Sequence, residues 1–128
     1  MSTYSFGKSV GGSFELTLEH VTQALASEGF GVLSDIDVAA TLKKKLGVEV
    51  PPYRILGACN PQFAHRALQA EPRIGALLPC NVVVREERGS TIVDIMDPLA
   101  VMQLVGKPEV AMIAQEVRGR LERVLAAL

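Results

Sequence analysis

The apolar positions of this chain alternate between two periods. Phe14, Leu18, Val21 and Leu25 recur at helical spacing. Ser13 stands where an N-cap belongs and Gly29 where a helix stops. On either side, Thr3 to Val10 and Phe30 to Ile36 read as strands. Asp37 is placed to cap a short helix through Leu46 that Gly47 ends, and Val48 to Pro52, with two prolines, is a loop. Tyr53 to Cys59 is a third strand. Asn60-Pro61 then pairs a favoured N-cap with proline at the first helical position, where its missing N–H costs nothing. The helix that follows carries Phe63, Ala64, Ala67 and Leu68 on one side and stops before Pro72. Asn81 to Glu86 and Thr91 to Met96 are strands joined by a turn at Glu87-Arg88-Gly89-Ser90, a hairpin pattern. Asp97-Pro98 repeats the cap-and-proline device for a short helix to Leu104. Beyond Gly106-Lys107-Pro108, a last helix buries Val110, Ile113, Val117, Leu121 and Leu125.

The order β-α-β-α-β-α-β-β-α, without long linkers or repeats, predicts an α/β (α+β) sandwich: one mixed sheet of about five strands with helices packed on it. At 128 residues, a single domain over 1–128 is expected. The unbroken run Val82-Val83-Val84 predicts a central strand covered on both faces. In the next strand Asp94 shares a face with Ile92, so it sits at a sheet margin or needs a partner.

Composition narrows the function classes. Hydrophobic residues make up 48% and charged residues 21%, as in ordinary globular proteins. With 13 basic and 14 acidic side chains the net charge is -1, against the basic excess of a nucleic-acid binder. So small a charge also gives little self-repulsion, which favours self-association. The first residues lack the basic start and apolar stretch of a signal peptide, and no run approaches the ~20 apolar residues of a membrane helix. A cytoplasmic protein without membrane or nucleic-acid partners is expected, its two cysteines thiols rather than a disulfide.

Those cysteines carry the candidate chemistry. Cys59 lies in Gly57-Ala58-Cys59-Asn60-Pro61 and Cys80 in Leu78-Pro79-Cys80-Asn81. Each precedes an asparagine, has a proline nearby and falls at a strand end. If the two strands run antiparallel, both corners meet at one rim of the sheet. A thiol beside a helix start can be activated by unpaired N–H groups and the helix dipole. The competing reading is a small buried hydrophobe, because free cysteine is among the most buried residue types. The twenty-residue separation is unlike a paired zinc-site pattern, and neither metal nor cofactor is expected. His65 should point away from the helix start and His20 lies on a polar helix side. Asp37 and Asp97 are explained as caps, which leaves Asp35 and Asp94 as isolated carboxylates. Gly7 to Gly12 lacks the spacing of a phosphate loop.

The segments Gly29-Phe30-Gly31-Val32-Leu33, Asp35-Ile36-Asp37-Val38, Lys45-Leu46-Gly47, Tyr53 to Pro61 and Leu77 to Val84 together closely resemble the "domain of unknown function 302" family of small bacterial and archaeal proteins. The resemblance implies a compact α/β domain that forms homodimers, and no established activity. Asp35 stands where family members usually have glutamate, which keeps the carboxylate.

Three functions follow as expectations. The first is a dimeric ligand-binding or accessory module with a pocket walled by Cys59, Asn60, Cys80 and Asn81, where a helix start suits an anion. The second is a thiol-dependent redox protein or enzyme using Cys59 with Cys80. The third is a purely structural or interaction protein.

Overall fold

The computed structural model describes residues 2–128. Its elements, in chain order, are β1 (Ser5–Val10), α1 (Phe14–Ser27), β2 (Gly31–Asp37), α2 (Val38–Leu46), β3 (Tyr53–Cys59), α3 (Pro61–Ala70), a 3-10 helix (Pro72–Leu77), β4 (Cys80–Glu87), β5 (Ser90–Met96), α4 (Pro98–Met102), which runs on into a short 3-10 turn, and α5 (Pro108–Ala126). Apart from the 3-10 helix, in a stretch expected to be a loop, predicted starts and stops agree with these to within a few residues, because the punctuating side chains act as expected. The Ser13 hydroxyl accepts from the Leu16 N–H, Asp37 from Ala40, and Asp97 from Leu99 and Ala100. Gly47 closes α2 at φ 68°, in the left-handed region that glycine enters without strain.

The strands form one five-stranded sheet in the order β1-β5-β4-β3-β2. The expected α/β class holds, but the expected mixed pairing does not: every neighbouring pair is antiparallel. A helix between two strands implies parallel pairing only if it carries the chain back along the sheet. Here α2, and α3 with its 3-10 helix, return the chain to the adjacent strand at the end it left. Only α1 makes a long crossing, from edge strand β1 to edge strand β2. Its 14 residues rise about 21 Å, enough to pass over four strand spacings of about 4.8 Å each.

The core lies on one side of the sheet. Leu56 and Ala58 of β3, Val82 and Val84 of β4, and Val93 and Ile95 of β5 all face it. Against them pack Val21 and Leu25 of α1, Phe63 and Ala67 of α3, and Val110, Val117 and Leu121 of α5. The other side carries no helical layer. Val83, Ile92 and Asp94 are therefore half-buried, and β4 is central in order but covered on one face only, where two covered faces were expected. Asp94 has the partner its position demands: Arg85 Nε donates to its carboxylate at 2.7 Å. The β2–α2 arm is the least packed region. No residue of α2 is buried, and Leu33 and Ile36 are 71% and 49% exposed. Among the described residues no helix is long and apolar enough to cross a membrane.

Candidate functional site

Antiparallel pairing of β3 with β4 brings the two cysteine corners together. Ala58 lies opposite Cys80 in the ladder, so Cys59 and Cys80 occupy one rim of the sheet on adjacent strands. Their settings differ. Cys80 shares the core-facing side with Ala58 and is 8% exposed. Burial, with a smaller contribution from the neighbouring Cys59, pushes its thiol up from 9.0 to about 11. Cys59, the last residue of β3, is half-buried.

The asparagines part company. Asn60 is 9% exposed and turns inward. It stands at the N-cap of α3, yet its side chain makes no capping hydrogen bond. Instead Nδ2 donates to the Glu28 carbonyl at 3.5 Å, the limit of a hydrogen bond. Asn81 follows Cys80 within a strand, and the period of two sends it to the open face opposite Gly57, exposed. Cys59, Asn60 and Cys80 are thus brought together, and Asn81 is not with them. Gly57 marks how tightly this corner is built: a Cβ there would collide with Ser34 Oγ and come within 2.8 Å of the Pro79 ring.

Between this rim, α3 and α5 lies a cavity of about 340 Å³. Cys59, Asn60 and Cys80 form one wall, and Phe63, Met102 and Val117 are among the side chains that close it. The space exists because small residues face each other across it: Ala64 and Ala67 from α3, Ala114 from α5. Exposed Leu33, Leu68 and Gly75 surround its mouth. No histidine and no charged side chain is among the lining residues. His65 and His20 are exposed, as their helical positions predicted.

Charge gathers just behind the Asn60 wall. Arg120 of α5 donates to the same Glu28 carbonyl at 3.0 Å. The guanidinium groups of Arg120 and Arg66 lie 5.2 Å and 5.6 Å from the centre of the Phe63 ring. Among the described residues neither forms an ion pair, whereas Arg118 pairs with Asp97 at 2.6 Å and Arg123 with Glu28 at 2.9 Å. Nothing in the sequence local to Cys59 announced Arg120 or Ala114. Both lie more than forty residues downstream of α3, on a helix whose apolar stripe reads as core alone.

The remaining carboxylates serve internal pairs. Asp35 and Asp37 face Arg54, which donates twice to Asp35 at 2.6 and 2.7 Å. That bond holds the Asp35 carboxyl below its ordinary value. A second hollow of about 350 Å³ between α2 and β3 carries charged side chains, but its Lys43 pairs with Glu49 and its Arg54 with Asp37. Among the described residues no three histidine, cysteine or acidic side chains are grouped as a metal site.

Comparison with known proteins now adds to this geometry. The family model described as "Domain of unknown function DUF302" matches residues 6–128. The chain is also similar to the crystal structure of an uncharacterized conserved DUF302 protein from Bacillus stearothermophilus, with 31% identity, 98% of each chain covered and a TM-score of 0.92. No curated protein matches this chain.

Proposed function

We propose, for a chain that belongs to the DUF302 family, that it is a binding module for a small apolar molecule held beside Cys59, Asn60 and Cys80. The observation that carries this reading is the cavity itself. It has about 340 Å³ of space within the range of small-molecule sites, apolar walls, and one buried asparagine whose bonding capacity is largely unused. A ligand seated in it gains dispersion contacts with this apolar lining.

Thiol chemistry has less support. The buried Cys80 thiol, at about 11, is almost wholly protonated at neutral pH. No histidine or carboxylate lines the cavity to serve as base for Cys59.

The test is a thermal shift and calorimetric screen with apolar probes from benzene to decane size. A true site gives a saturable rise in melting temperature, about 2.7 kcal/mol of added stability at a hundred times Kd. Ala64→Phe, which fills the space from α3, abolishes it while leaving the circular dichroism unchanged. Absence of saturable binding across the series would defeat the proposal.

A second reading concerns assembly, and one observation favours it. Leu33, Ile36, Leu46, Val48 and Val50, all exposed, cluster along edge strand β2, α2 and the loop after it. The free backbone edge of β2 suits a second copy of this chain, and the net charge of -1 offers little repulsion. A homodimer through this arm is expected in sedimentation at tens of micromolar, with Ile36→Lys shifting it to monomer. A monomer in the unsubstituted protein would refute it.

A further inference from the structure

Resting on the binding-module reading, we infer that the molecule the cavity selects is an amphipathic monocarboxylate, with an aliphatic or aryl body inside and its carboxylate against the Asn60 wall, behind which Arg120 lies. Three features converge there. First, the start of α3 leaves N–H groups without acceptors. Pro61 has none to give, and the helical ladder begins with Ala64 donating to the Asn60 carbonyl at 2.9 Å. The Gln62 and Phe63 N–H groups therefore stand free at the positive end of the helix, unserved by an Asn60 side chain that does not cap.

Second, that side chain is itself under-used. Asn60 is 9% exposed and lines the cavity, and its one contact is the 3.5 Å approach of Nδ2 to the Glu28 carbonyl. A buried amide in this state keeps donor capacity for a ligand. Third, two cations that form no ion pair among the described residues stand behind this wall, while the Glu28 carboxylate is taken up by Arg123. Arg120 is held next to Asn60 by their shared bond to Glu28, and Arg66 stands by the same Phe63 ring. No acidic residue lines the cavity to oppose an anion.

The rest of the site sets the body of the ligand. Apart from Asn60 and the thiols, the walls offer hydrocarbon and backbone. A dry cavity of ~150 Å³ accepts benzene. By that measure about 340 Å³ takes a body of roughly thirteen carbons. A phosphate-sized or polyanionic ligand would strand charge against alanine, valine and methionine. One carboxylate on an apolar tail leaves nothing unmatched.

The experiment compares octanoate with methyl octanoate, which has the same chain without the charge, by isothermal titration on the full chain. At low salt octanoate is expected to bind about tenfold tighter, as for a charge-assisted hydrogen bond. That preference should shrink as sodium chloride is raised, while ester binding holds. Arg120→Gln should erase most of the preference and leave the ester's Kd within about twofold. Arg66→Gln, whose guanidinium lies 5.6 Å from the Phe63 ring centre, should reduce it less and serves where Arg120→Gln fails to fold. Ester bound as tightly as acid, with no salt dependence, would overturn the carboxylate inference and leave the apolar site standing. Failure of both probes to bind would overturn the cavity reading beneath it.

Discussion

The two Cys-Asn corners are close copies in sequence and opposites in structure. At Cys59-Asn60 the thiol is half-buried and the asparagine buried. At Cys80-Asn81 the thiol is buried and the asparagine exposed. The difference comes from which phase of the strand alternation each cysteine occupies. After Cys80 the chain continues as a strand, so consecutive side chains must point to opposite faces of the sheet, Cys80 to the core and Asn81 to the open side. Around Cys59 the phase is opposite: Leu56 and Ala58 face the core, so Cys59 falls on the other side and Asn60, its backbone still extended at φ -103° and ψ 106°, turns inward against Glu28 before Pro61 begins the helix. Identical dipeptides thus become a rim with a polar anchor in one place and an inert core thiol in the other. A local motif carries no chemistry until its surroundings assign one.

That contrast can be broken experimentally, most sharply in thiol reactivity. Raising Cys80 from 9.0 to about 11 cuts its thiolate fraction at neutral pH by about a hundredfold, and burial slows access further. Disulfide-exchange labelling near pH 7.5 is expected to modify Cys59 first and Cys80 at least about a hundredfold more slowly. Equal rates would erase the distinction between the corners.

The next effect is on stability against pH. Cys80 ionises more readily unfolded than folded, so its favourable contribution is complete below about pH 9 and is lost as pH rises to about 11. This amounts to about 2–3 kcal/mol. Urea midpoints measured from pH 8 to 11 should fall more steeply for the unsubstituted protein than for Cys80→Ala. Parallel curves would mean that Cys80 is solvated.

Substitution by serine probes burial alone. Cys80→Ser places a hydroxyl in apolar surroundings and should cost about 1–3 kcal/mol. Cys59→Ser, at the half-open mouth, should stay within about 0.5 kcal/mol. Denaturant titration at pH 7 separates them, and a reversed order would contradict the assignment of faces. Smallest is the asparagine pair. Asn60→Ala loses one long hydrogen bond, about 1 kcal/mol at most, whereas Asn81→Ala on the open face should be silent within about 0.5 kcal/mol. Melting temperatures of the two variants measured side by side decide this.

Much of the fold was legible beforehand because its boundaries are written in short-range chemistry. Ser13, Asp37 and Asp97 accept from the first free N–H groups of their helices, as their positions required. The paired strand and helix patterns around Tyr53–Cys59 and Pro61–Ala70 were read for the same reason. Strand direction was not legible. A helix between two strands does not say whether it crosses the sheet or turns back at its end, and here α2 and α3 turn back. Nor did the run Val82-Val83-Val84 reveal that only one face is covered, since an apolar residue half-exposed on a bare sheet face looks in sequence like one fully enclosed.

The residues by themselves determined where helices and strands begin and end, that the charge is nearly balanced, and that two thiols stand at strand ends. Propensity, capping and period act within a few residues, so they can be read within a few residues. Only the tertiary structure decided that those thiols share a rim, that Asn60 turns in while Asn81 turns out, and that Ala64, Ala67 and Ala114 leave a cavity with Arg120 beside it. An unfilled volume belongs to no residue. It is what remains when small side chains more than forty positions apart are set facing each other, and that arrangement exists only once the sheet has been assembled.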